Sequence, residues 1–149
     1  MNGNYTLWAQ GETADGTEFS VSRNLIIYNG ASEWPVMNLV DNRVGIDGNT
    51  KLELTSKNIK AGQMVMLDFN VSHIDGSLPN MSPYLGAFAH VIAIKLGGNE
   101  LIHVHPMEGK VLNSGILHSV FPESGEYRLW IQFIDNGELK TFSLSLDVN

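Results

Sequence analysis

The sequence predicts an all-β protein, a sandwich or barrel of antiparallel strands. Three observations predict it. Apolar residues recur at every second position through much of the chain, short clusters of Gly, Asn and Asp interrupt these runs, and no stretch combines helical periodicity with caps. Period-two alternation puts one set of side chains on a buried face and the other set on the opposite face.

The elements follow in order. GNYTLWAQ, Gly3 to Gln10, opens a hairpin whose second strand carries FSVS at Phe19 to Ser22, with Asp15-Gly16 between them. The same phrase returns near the other end as GEYRLWIQ, Gly125 to Gln132, followed by Asn136-Gly137 and FSLS at Phe142 to Ser145. Asn-Gly and Asp-Gly supply the positive φ angles of tight hairpin turns. The repetition predicts that residues 1–30 are the closing hairpin of an upstream copy of the same domain. Residues 31–49 carry little pattern and read as a connection, with Trp34-Pro35 packing it down. The main sandwich is expected over residues 50–149. It begins with Leu52 and Leu54 alternating with Lys51, Glu53 and Thr55. In QMVMLDFNV, Val65, Leu67, Phe69 and Val71 face one way, and Met64, Met66, Asp68 and Asn70 the other. Ser77 to Leu85 contains two prolines and reads as a loop. AFAHVIAIKLGGNELIHVHP reads as a hairpin about Gly97-Gly98. In the last hairpin Tyr127, Leu129, Ile131 and Phe133 form one buried row, and Phe142, Leu144, Leu146 and Val148 another.

Composition narrows the function. The chain has 149 residues, 43% of them hydrophobic, enough for a proper core. A net charge of −7 argues against nucleic acid, whose phosphates call for a basic surface. There is no apolar run of membrane-spanning length, and the N-terminus is polar and strand-like, without the apolar segment of a signal peptide. Cysteine is absent, which excludes disulfides, thiolate metal sites and a cysteine nucleophile. No Ser-His-Asp arrangement, phosphate loop or paired-carboxylate motif stands out.

The five histidines, His73, His90, His103, His105 and His118, all lie in the middle of the chain. A two-residue turn at Gly97-Gly98 would pair Leu96 with Asn99, Ile92 with His103 and His90 with His105, all projecting from one face. Directly opposed residues have Cβ atoms roughly 4.5–5.5 Å apart, so His90 and His105 could share a metal, with His103 one step diagonal. A three-residue turn would move His90 to the other face. Imidazoles suit zinc, copper, iron and nickel, and the nearby Met81 and Met107 suit Cu(I). His73 and His118, taken singly, read as hydrogen-bonded core or surface residues.

Three motifs then occur in sequence: PYLGAFAH at Pro83 to His90, LIHVHP at Leu101 to Pro106 and FPESGEYRLWIQF at Phe121 to Phe133. Together they resemble an uncharacterised bacterial domain, exported or membrane-anchored, with P-Y-L-G-A-x-x-H, H-V-H-P and F-P-x-x-G-x-Y-R-L-x-x-Q-F motifs. The resemblance covers roughly residues 50–149 and departs at Trp130, where Phe is more usual. It implies an immunoglobulin-like or cupredoxin-like sandwich in the periplasm or at the cell surface. It also implies association with heavy-metal or copper handling, with His90, His103 and His105 as ligands, Pro83, Gly86 and Pro106 shaping the loops, and a metal-handling protein as partner. A rival pattern is the first cupin motif, nearly matched by Gly97, His103, His105, Glu108 and Gly115, but without its second half downstream.

Three readings of function stand at this point. The first is a non-catalytic copper- or zinc-associated module with no catalytic residues. The second is a structural or interaction module without metal, and the third a cupin-type metalloenzyme. The N-terminal hairpin adds an expectation about assembly: it would expose Tyr5, Leu7, Phe19, Val21, Leu25 and Ile27, so it should dock on the sandwich or pair with another chain as a dimer.

Overall fold

The structure, a computed structural model, describes residues 2–30, 41–56, 58–109 and 113–149. The chain divides into two units, Met1–Asn38 and Leu39–Asn149. The first contains β1 (Gly3–Glu12) and β2 (Glu18–Ile27), paired antiparallel with Tyr5 opposite Leu25, Leu7 opposite Arg23 and Gly11 opposite Phe19. Thr13 and Gly16 close the turn: Gly16 N–H donates to Thr13 O, and Thr13 N–H to Thr17 O, both at 2.9 Å.

The second unit holds β3 (Val44–Asp47), β4 (Thr50–Leu54), β5 (Met64–His73), β6 (Met81–Ser82), β7 (His90–Lys95), β8 (Leu101–Glu108), β9 (Ser114–Val120), β10 (Gly125–Asp135) and β11 (Glu138–Val148). Its strand order is β11-β10-β7-β8-β9-β5-β4-β3, with β6 beside β10. Strands β7, β8 and β9 form a meander, and β10 returns to lie against β7, which is a Greek key. The two ends of the sheet meet where Asn42 and Ser145 exchange backbone hydrogen bonds of 3.1 and 2.9 Å, so the sandwich is nearly a closed barrel.

The alternation expected from sequence is borne out. Leu52 and Leu54 of β4, and Leu67, Phe69 and Val71 of β5, are buried, as are all eight residues assigned to the inner rows of β10 and β11. These form one continuous core with Phe121, Leu117 and Val104. Asn136 (φ 51°) and Gly137 (φ 80°) make the turn between β10 and β11, as a two-residue Asn-Gly hairpin requires.

Tyr127 locks the Greek-key corner. Its ring is fully buried against Phe121, edge-on at 4.9 Å, and its hydroxyl donates to Glu123 O at 2.9 Å, four residues upstream at the entry to β10. This is a tyrosine corner, and with the Greek key it makes the unit an immunoglobulin-like antiparallel sandwich. Tyr127→Phe keeps the ring but orphans that carbonyl. We expect a loss of about 1 kcal/mol, read as a lower urea midpoint at unchanged slope; an unchanged midpoint would mean the corner hydrogen bond is not stabilising.

Two local features differ from the sequence reading. β3 lies inside the stretch read as a connection. It pairs with β4 from Val44 opposite Glu53 to Asp47 opposite Thr50, and it is too short to show a period of its own. The β7–β8 loop keeps the expected register, with Ile92 opposite His103, but not the expected turn. Gly98 N–H bonds to Lys95 O at 2.9 Å about Gly97 (φ 73°), and Leu96 N–H turns to Glu126 O of β10 at 2.8 Å. With Leu96 bound to β10, the Leu96–Asn99 pair does not form, and β8 starts at Leu101.

Candidate functional site

The histidine-bearing surface is organised by β8, which changes partner in mid-strand. Residues 101–104 pair with β7, ending at Val91 opposite Val104. Residues 105–108 pair with β9, beginning at His105 opposite His118. Pro106 stands at this exchange, where its missing N–H costs no ladder bond to β7. The consequence for the expected ligands is direct. His105 meets His118 of β9, and the ladder pair between His90 and His105 is not made.

The rings of His105 and His118 stack at 5.2 Å between centroids with 29° between planes. His105 is exposed and His118 half-buried, both on the outer face, while Val104 and Leu117 beside them point into the core. His90 sits opposite Gln132 of β10, its Nε2 2.9 Å from Tyr84 O and its ring edge-on to the Tyr84 ring at 5.5 Å. His103 has the expected backbone position opposite Ile92, but its side chain lies outside the described residues. Among the described residues no three His, Cys, Asp or Glu side chains converge on a common point. His118 was legible in sequence only as a single histidine; the signal that finds it is the β8–β9 register.

A second polar group lies in the interior. His73, at the end of β5, places Nε2 2.7 Å from Asp135 Oδ2 and Nδ1 2.6 Å from Ser77 Oγ. Thr50 Oγ1 donates to the same Asp135 oxygen at 2.7 Å, and Asn80 N–H to the other at 2.9 Å. This is a Ser-His-Asp chain of contacts that sequence reading did not find. Its serine is not held for attack, however, because the Ser77 hydroxyl donates to Asp75 Oδ1 at 2.6 Å. The arrangement ties the loop after β5 to the end of β10.

A groove of about 530 Å³ runs between Asp41, Arg43, Glu53, Ser56 and Asp147. Among the described lining residues the one cation is Arg43, which is taken up by Asp41 at 3.0 Å and by Ser56 O. Apart from that His73–Asp135 group the interior of the sandwich is packed with apolar side chains, and both stacked histidines lie outside it, unlike a metal held within a cupin barrel. Among the described residues no helix is long and apolar enough to cross a membrane, which says nothing of a β-barrel.

Fold and surface together define an immunoglobulin-like Greek-key domain with a histidine pair on its outer face. The chain belongs to the family described as domain of unknown function DUF8832, whose model matches residues 43–149. No curated protein matches it. It is similar in structure to the Lin-41 filamin domain, at 15% identity and a TM-score of 0.45, over 71% of this chain and 97% of that one. It is also similar to a presumed lipoprotein from Bacillus anthracis, at 14% identity and a TM-score of 0.42, over 75% of this chain and 88% of that one.

Proposed function

We propose that the chain is a non-catalytic, metal-associated β-sandwich module of an exported or membrane-anchored protein, holding copper or zinc at histidines on its outer face. The supporting observation is the His105–His118 pair, 5.2 Å apart on an accessible face. A first-row ion sits roughly 2.0–2.1 Å from each imidazole nitrogen, a span that side-chain rotation of two such rings can close. His90 and His103 are the further candidate ligands. The test is elemental analysis of untagged protein with copper and zinc titrations. His105→Ala and His118→Ala should each abolish binding, and the metal should leave on acidification, because proton and metal compete for the same nitrogens. Unchanged stoichiometry in both variants would remove these residues as ligands.

An interaction module is the second reading, and the β1–β2 hairpin favours it. Leu7, Phe19, Val21, Leu25 and Ile27 are all exposed there. A ribbon with such a face is a ready surface for a second chain. Sedimentation at micromolar concentration should show a dimer that Leu7→Ser/Val21→Ser dissociates; a monomer at all concentrations rules this out.

A further inference from the structure

The outer face around the stacked histidines is unusual in its sulfur content. Met66 of β5 lies directly opposite His118 of β9, which lies directly opposite His105 of β8. The three therefore form one cross-strand row, Met66–His118–His105, and side chains in register point to the same face. The neighbouring rows continue the pattern, with Met64 opposite Val120 on one side and Met107 opposite Ile116 on the other. Directly opposed Cβ atoms are roughly 4.5–5.5 Å apart and diagonal ones roughly 7–8 Å, within reach of a flexible thioether.

Core packing does not account for these methionines. Met64, Met66 and Met107 are 65%, 56% and 45% exposed, so three of the six methionines in the chain show most or nearly half of their surface on one face. The alternate residues of the same strands, Leu67 and Phe69 of β5 and Val104 of β8, do the packing.

We infer that Met66, His118 and His105 form a Cu(I) site, with the Met66 thioether as the third ligand beside two imidazoles. This rests on the metal-associated reading above and names its ion. The donor set decides the choice. Two imidazoles and a thioether are all neutral, and the thioether is soft, which suits a monovalent soft ion. Zinc is normally four-coordinate and gains nothing from a thioether, and hard dications want carboxylates. On this face of β5 the one carboxylate in register is Asp68, in the row opposite Ile116 and not in the histidine row.

The test is anaerobic titration with Cu(I) in competition with bicinchoninate, alongside Zn(II) titration, on the full chain and on Met66→Leu and His118→Ala. Met66→Leu changes an exposed side chain to one of similar volume, so the fold is expected to survive, and circular dichroism checks that. The expected result is one Cu(I) per chain, weakened at least tenfold by Met66→Leu with Zn(II) binding unchanged, and lost in His118→Ala. X-ray absorption of the Cu(I) form should show a sulfur neighbour that Met66→Leu removes. If Cu(I) binds with no effect of Met66→Leu and no sulfur neighbour, the inference fails while the metal-associated reading stands. If neither ion binds, both fail.

Discussion

Asp135→Ala is expected to lower the unfolding free energy by about 3–5 kcal/mol, the usual cost of removing one partner from a buried ionic group. The residue is 1% exposed, and the His73 side chain bonded to it is 4% exposed. Truncation strands three donors at once: His73 Nε2, the Thr50 hydroxyl and the Asn80 N–H. Asp135→Asn keeps the shape and part of the bonding, so it should cost clearly less. Urea unfolding of the pair measures this; equal small losses would show that the network does not stabilise the fold. The group also has a signature in acid. Burial pushes the Asp135 carboxyl up, but hydrogen bonds from His73, Thr50 and Asn80 outweigh it and hold the group below its ordinary value of 3.8. Asp75 is lowered to about 2, chiefly by the Ser77 hydroxyl, then by the Ser77 N–H and Asn49. A carboxyl depressed in the folded state stabilises fully above its unfolded value and loses that contribution as pH falls through its folded value. Stability should therefore drop from about pH 4 down to about pH 2, and Asp135→Asn should flatten part of that drop. A parallel profile in the variant would assign the acid sensitivity to other groups.

Gly115→Ala is expected to cost about 1–3 kcal/mol, the range for overpacking a filled core. A Cβ at this position of β9 would stand 2.3 Å from Cε1 and Cζ of the Phe69 ring and 2.9 Å from Phe88 Cε1. Phe69 is fully buried and directly opposite Gly115, so the ring has nowhere to move. Shortening that ring should relieve the clash. Phe69→Leu combined with Gly115→Ala should therefore lose less than the two single variants added together. Thermal or urea unfolding of the four proteins closes the cycle, and strict additivity would show that the two residues do not compete for the same space.

What the sequence made legible was what alternation controls. Period two assigned inner and outer faces for Leu67 and Phe69 against Met64 and Met66, and for the whole of the last hairpin. The pairing of Ile92 with His103 also followed, because a chain that folds back about Gly97 and Gly98 with its apolar residues in phase fixes that register whichever turn closes it. Partners from strands distant in sequence carry no such local signal. Asp135 reaches His73 across 62 residues; each is a polar residue in phase with the inner row of its own strand, which marks a buried polar group but not its partner. His105 was placed on the right face but with the wrong neighbour, since nothing in alternation says that a strand will leave one partner for another at residue 105. His118 reads singly as a core or surface residue for the same reason: it becomes one of a pair only once β9 lies beside β8.

The partner exchange within β8 also divides how that strand is held. Its first half is bonded to β7 and its second to β9, so the two halves are held by different neighbours, β7 and β10 on one side and β9 and β5 on the other. An ion held as proposed by His105 and His118 would tighten that half and not the first. If an ion binds there as proposed, slowed amide exchange on loading is expected in β5, β9 and the end of β8, with β7 and β10 at their unloaded rates.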